Sequence, residues 1–176
     1  MIVLACLLAD RKPLSDVLSD KRFHDLGNLL LAFVMLWAYI AFSQFLIIWS
    51  GNLPEEVTWY ANRLHGGWNY LAIGLITLHF VVPFLLLLQR GAKRRPVILS
   101  GIAIGLLSLR LIDLYWIVSP ALHKKGLALH WLDLITPVAI GGVWLSFFLW
   151  QLKARPLLPE RDPRLLAEID YKEAVS

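Results

Sequence analysis

The chain has 176 residues, 58% of them hydrophobic, and a mean hydropathy of +0.62. Soluble domains hold roughly 45–50% apolar residues, so this composition excludes an ordinary soluble domain and points to a membrane protein. The net charge of +4 sits in connections and tails, which ties it to membrane topology and not to nucleic-acid binding; a single cysteine, Cys6, excludes an internal disulfide or a cysteine-ligated cluster within the chain.

The first nine residues, MIVLACLLA, are apolar but too short to span, and no basic segment precedes them as a signal peptide requires. They are expected to be the end of a truncated upstream helix, with an ordinary interfacial start as the alternative. Residues 1–26 then comprise that helix end and a cytoplasmic segment. Four apolar stretches follow, at Leu29–Trp49, Trp68–Leu88, Val97–Val118 and Trp131–Leu152. Each has about the 20 residues that cross a hydrocarbon core of about 30 Å. Pro83 and Pro137 fall inside spans two and four, where membrane helices accept them as kinks. The expected fold is all-α, a polytopic membrane protein with a four-helix transmembrane bundle over residues 27–152. The charged, proline-rich residues 153–176 read as a cytoplasmic tail.

Basic residues set the orientation. Arg11, Lys12, Lys21, Arg22, Arg90, Lys93, Arg94, Arg95 and the five after Leu152 lie on one side; Arg63, Lys124 and Lys125 lie on the other. Thirteen against three predicts cytoplasmic termini under the positive-inside rule. The outward connections Ser50–Gly67 and Ser119–His130 are then bordered by Trp49, Trp59, Tyr60, Trp68, Tyr70, Tyr115, Trp116 and Trp131, as an aromatic belt.

Three charges lie inside the spans: Arg110, Asp113 and Asp133. Intramembrane charge costs at least about 2.5 kcal/mol at a helix centre, so it persists mainly where it is paired or used. Helix rise puts Arg110 roughly 12 Å below the outer boundary, with Asp113 about one turn above it and able to pair with it. Gln44 falls in the outer third of span one. Residues His65, Asn69, Ala72, Ile76, His79 and Pro83 share one face of span two. The expected polar route is Arg110, Asp113, Asp133 and His79, with Gln44 and Asn69 as hydrogen-bonding support. In a proton path Asp113 or Asp133 would exchange protons with the outer surface, Arg110 would hold a carboxylate ionised, and His79 would pass protons inward. No ionisable residue lies between His79 and the cytoplasmic loops, so an outer half-channel is expected and not a continuous wire. The plain alternatives are a structural ion pair for Arg110 and Asp113, a helix cap for Asp133 and a hydrogen-bonded core histidine for His79. On the roughly opposite face of span three, Gly101, Gly105 and Ser108 are small enough for close helix packing. Span three is therefore expected to lie between neighbours, one of them outside this chain, and the chain is not expected to fold stably alone.

His65 and His79 are fourteen residues apart on one helix, the spacing of two-haem cytochrome b bundles. His130 can partner His65, but Trp144 falls where a partner for His79 belongs. Haem b thus remains a rival reading with an incomplete ligand set, and no compact group of histidines and carboxylates offers a zinc site.

The stretch HDLGNLLLAFVMLWAYIAFSQFLIIWSGNLPEEVTWY, from His24 to Tyr60, resembles the F subunit (ActF) of bacterial alternative complex III, a quinol:electron-acceptor oxidoreductase. The later HGGWNYLAIGLITLHFVVPFLLL and RLIDLYWIVSP are similar to the same family. The resemblance runs from about His24 to Arg164 and covers only the C-terminal part of a family pattern with ten membrane helices. It implies a non-catalytic subunit of the bacterial inner membrane with no redox centre of its own. Haem c and iron–sulfur clusters would lie in partner subunits, and a related ten-helix subunit would bind quinol. It also implies half of a two-bundle architecture similar to polysulfide-reductase membrane anchors, and a part in proton conduction. A quinol-binding anchor and a purely structural subunit remain the other readings.

Overall fold

In the computed structural model, residues 2–7, 20–122 and 130–154 are described. They form helices α1 (Ile2–Leu7), α2 (Asp20–Gly51), α3 (Pro54–Ala61) and α4 (Trp68–Leu75). A π-helical segment, Ile76–Val81, continues α4 into α5 (Val82–Leu88); α6 (Arg90–Arg94), α7 (Pro96–Leu122) and α8 (Trp131–Lys153) complete the chain. No strand occurs among the described residues. Four helical stretches are long and apolar enough to cross a membrane: Lys21–Gly51, Trp68–Leu88, Pro96–Leu122 and Trp131–Lys153.

Local chemistry sets most of the boundaries. Span one begins earlier than its apolar run because Phe23 and Leu26 continue the helical packing face through the polar start. The helix stops at Gly51, where Asn52 takes a left-handed φ of 45°. Pro54 then opens α3 with its ring at the first turn, and Glu55 and Glu56 meet the positive end of the helix dipole. Arg95 is extended before Pro96, since a proline ring crowds a helical residue ahead of it, and α7 starts at that proline.

Pro83 shapes span two. It has no N–H to give, and its ring crowds the carbonyl four residues earlier, that of His79. The helix widens over Ile76–Val81, and the Val82 N–H reaches back five residues to the Thr77 carbonyl. His79 therefore sits on a locally widened turn.

Spans one, two and three pack together. Their apolar core is Phe23, Val34, Leu87 and Leu99, joined by Leu26, Leu30, Phe80, Ile102 and Leu106, and Ile2 of α1 rests on the same cluster. Packing among the four spans is uneven, for α8 buries none of its residues and forms no extensive interface with another described element. Membrane helices associate through close packing and hydrogen bonds, not through apolar surface alone, and the one carboxylate of α8 is used in its own cap. The open surfaces of all four spans are apolar; Phe33, Ile47, Ile73, Leu107 and Val138 are each more than half exposed.

Gly27 permits a close approach at the other end of the packed spans. A Cβ there would meet Lys93 Cγ at 2.7 Å and Cβ at 2.9 Å. The buried Lys93 stem fills that space, and its Nζ donates to Asn28 Oδ1 at 2.6 Å. Asn28 Nδ2 in turn donates to His24 Nδ1 at 3.3 Å, and His24 lies 3.8 Å from Asp25. Gly27→Ala is expected to expel Lys93 and cost about 1–3 kcal/mol. Thermal unfolding in lipid nanodiscs checks it, and an unchanged midpoint would show that Lys93 moves aside freely.

Candidate functional site

Asp113 is the centre of the site. It is 4% exposed, on the face of α7 turned toward spans one and two. Arg110, one turn earlier on the same helix, donates from Nη1 to Asp113 Oδ2 at 2.5 Å. Trp37, in the middle of α2, donates its indole N–H to the same Oδ2 at 3.2 Å. The Trp37 ring also lies against the His79 ring, with centroids 4.5 Å apart at 44°. His79 is 6% exposed, and its buried Nδ1 has no hydrogen-bond partner among the described residues. Three spans thus place a carboxylate, a guanidinium, an indole and an imidazole side by side.

These groups differ in access. The Arg110 side chain is 48% exposed, against 6% for Asp113. The guanidinium therefore opens the cluster toward the outer surface of α7, while the carboxylate stays covered. The core residues Val34, Leu87 and Leu99 separate the cluster from Lys93 and Asn28.

The other expected route members sit elsewhere. Asp133 accepts from the His130 backbone N–H through Oδ2 at 2.9 Å, and the Leu132 N–H reaches His130 Nδ1 at 3.3 Å. This is a reciprocal helix cap, so Asp133 is occupied at the start of α8 in the manner of the plain alternative. Gln44 is exposed and Asn69 half-buried, and neither hydrogen-bonds to the Asp113 cluster. A methyl group placed on Gly101 or Gly105 would meet nothing within 4 Å, and Ser108 bonds back to the Ile104 carbonyl at 3.1 Å. The small-residue face of α7 is thus open among the described residues. His65 is exposed and donates to the Ala61 carbonyl at 2.7 Å, apart from the buried His79.

Two residues matter that charge and histidine patterns do not single out. Trp37 is one; its signal is a tryptophan at mid-span, about 18 Å from Trp49 by helix rise, well away from an interfacial belt. Arg63 is the other. It is 2% exposed, donating from Nη1 to the Trp59 carbonyl at 2.7 Å and from Nη2 to the Ile117 carbonyl. Its guanidinium carbon lies 3.5 Å from the centre of the Trp59 ring and 5.8 Å from that of Trp116. Trp116 donates to the Trp68 carbonyl at 3.2 Å. Burial lowers the Arg63 guanidinium from its ordinary value, opposed by Tyr60. Burial likewise raises the Tyr60 phenol above 10.0, against the pull of the Arg63 charge. Of the aromatic border, Trp68 is thus packed inside at 2% exposure, while Trp49, Tyr70 and Trp131 remain 62–76% exposed.

Fold and site together define a multi-pass membrane protein with a partly buried polar cluster between three of its spans. No protein-family model matches the chain, and no curated protein matches it in sequence.

Proposed function

We propose that this chain is a membrane subunit of a respiratory quinol:electron-acceptor oxidoreductase of the alternative complex III type, carrying part of a proton path in its outer half. The observation that supports it most is the buried Asp113, held by Arg110 and Trp37 beside an unpartnered His79. A carboxylate and an imidazole are the two side chains best suited to take and give protons near neutral pH. Asp113 exchanges protons with the open side of α7, Arg110 holds its carboxyl group in place by a hydrogen bond, and His79 is the inward acceptor. Asp133, committed to its cap, leaves the exchange role to Asp113. The basic residues orient the chain with both termini in the cytoplasm of a bacterial cell. Its partners are the haem c and iron–sulfur subunits, a related ten-helix quinol-binding subunit and membrane lipid.

Native purification of the tagged chain, with mass spectrometry and a visible spectrum, tests the assignment. Multihaem cytochrome and iron–sulfur subunits are expected to co-purify; a lone, colourless chain would overturn it. In the purified complex, Asp113→Asn is expected to lower proton-coupled turnover roughly tenfold or more. Unchanged turnover and proton release would make the ion pair structural.

A further inference from the structure

Trp37 joins the two halves of the site, and its chemistry differs from that of its neighbours. An indole N–H is a donor only, with no lone pair to accept a proton. It therefore cannot relay a proton between Asp113 and His79, although it touches both, at 3.2 Å through the N–H and at a ring separation of 4.5 Å. The Arg110 and Trp37 donors meet the same oxygen, Oδ2. Oδ1 lies outside both of these contacts. On the other side, the Trp37 ring helps bury the His79 imidazole, whose Nδ1 meets no described partner.

We propose that Trp37 is a gate: while its indole bonds Asp113 and covers His79, no proton passes between them, and passage requires the indole to swing away. The proposal rests on the proton-route reading above. The transfer it controls is simple. A protonated Asp113 releases its proton, which ends on His79, leaving a carboxylate and an imidazolium. Trp37 is a positioning residue in this scheme and takes no proton itself.

The experiment is selective ¹⁵N-histidine NMR of the full chain with its co-purifying subunits in lipid nanodiscs, following hydrogen exchange at the His79 ring. The His79 signal is assigned by its loss in His79→Gln. Trp37→Phe keeps a ring over His79 but removes the N–H given to Asp113; Trp37→Ala removes both. Each is expected to speed exchange at His79, by about tenfold or more for the alanine variant, because the hydrogen bond to Asp113 and the covering ring are both lost. Adding Asp113→Asn to Trp37→Ala is expected to slow exchange again. In infrared spectra the Asp113 carboxyl band, identified by its loss in Asp113→Asn, is expected to shift in Trp37→Phe, which a packing role alone would not produce.

Unchanged exchange in Trp37→Ala, with slower exchange in Asp113→Asn alone, would overturn the gate and leave the route standing. Faster exchange that survives Asp113→Asn would mean water filling the space left by the ring, and would also overturn it. Exchange insensitive to Asp113→Asn in every background would remove the route and the gate together.

Discussion

Arg110→Leu is expected to destabilise the chain by about 3–5 kcal/mol, because it leaves Asp113 covered and without its cation. The geometry makes the pair unequal. Asp113 is almost fully enclosed, at 6% side-chain exposure, whereas Arg110 is 48% exposed and can turn its long side chain toward a more polar surface. Asp113→Leu should therefore cost less than Arg110→Leu. Replacing both with leucine should restore most of the stability, since a buried ion pair is often matched by apolar residues of similar volume. The residual loss in the double variant reports on Trp37, whose indole N–H would then lack its acceptor. Thermal unfolding in lipid nanodiscs of the wild type and the three variants forms a double-mutant cycle. Equal losses in the two single variants, or a double variant as unstable as Arg110→Leu, would contradict this account. The cycle also separates structure from function: a double variant that is stable yet inactive identifies the charges as working groups.

Apolar length makes the spans legible. Span two is Trp68–Leu88 both by sequence and in the structure, because turn residues and charges bound it closely. Span one is harder to bound, since Asp20–Asn28 is polar by composition yet belongs to the same helix through Phe23 and Leu26. The helix Pro54–Ala61 lies inside what reads as a connection, although Pro54 followed by Glu55 and Glu56 is a helix-start signal. In the site, Arg110 and Asp113 are visible as an i, i+3 pair, and His79 as a lone histidine on the inward face of span two. Depth alone groups Gln44 and Asp133 with them, but depth does not fix helix phase; Asn69 shares a face with His79 by spacing, yet lies about 15 Å from it along the helix by rise. His130 and Asp133 carry the spacing of a reciprocal cap, disguised because histidine is not among the favoured capping residues. Trp37 stays hidden because a tryptophan in an apolar run shows nothing of what its N–H will meet. The open surface of α8 cannot be read from sequence, since an apolar helix in a membrane looks the same against lipid or protein.

Arg63→Met is expected to loosen the Arg63 end of the packed spans, costing about 3 kcal/mol or more. The arginine connects two elements that otherwise meet through ring edges. One nitrogen holds the Trp59 carbonyl at the end of α3, and another holds the Ile117 carbonyl of α7. The guanidinium face lies on Trp59 while Trp59 and Trp116 meet edge-on, with centroids 5.8 Å apart. Methionine keeps much of the volume but offers neither donor, and two carbonyls lose a charged partner. Arg63→Lys should recover only a minor part, because one ammonium cannot span the two carbonyls that the planar fork reaches together. The Asp113 cluster should survive, since its hydrogen bonds join Trp37 and Arg110 to Asp113, whereas those of Arg63 go to the Trp59 and Ile117 carbonyls. The expected pattern is therefore a lowered unfolding midpoint, a weaker near-ultraviolet signal from the tryptophan cluster and faster proteolysis between Gly51 and Gly67. Turnover of the intact complex should change little at moderate temperature. Loss of turnover at full stability would instead place Arg63 on the functional route, and an unchanged midpoint would show that the aromatic packing holds α3 without it.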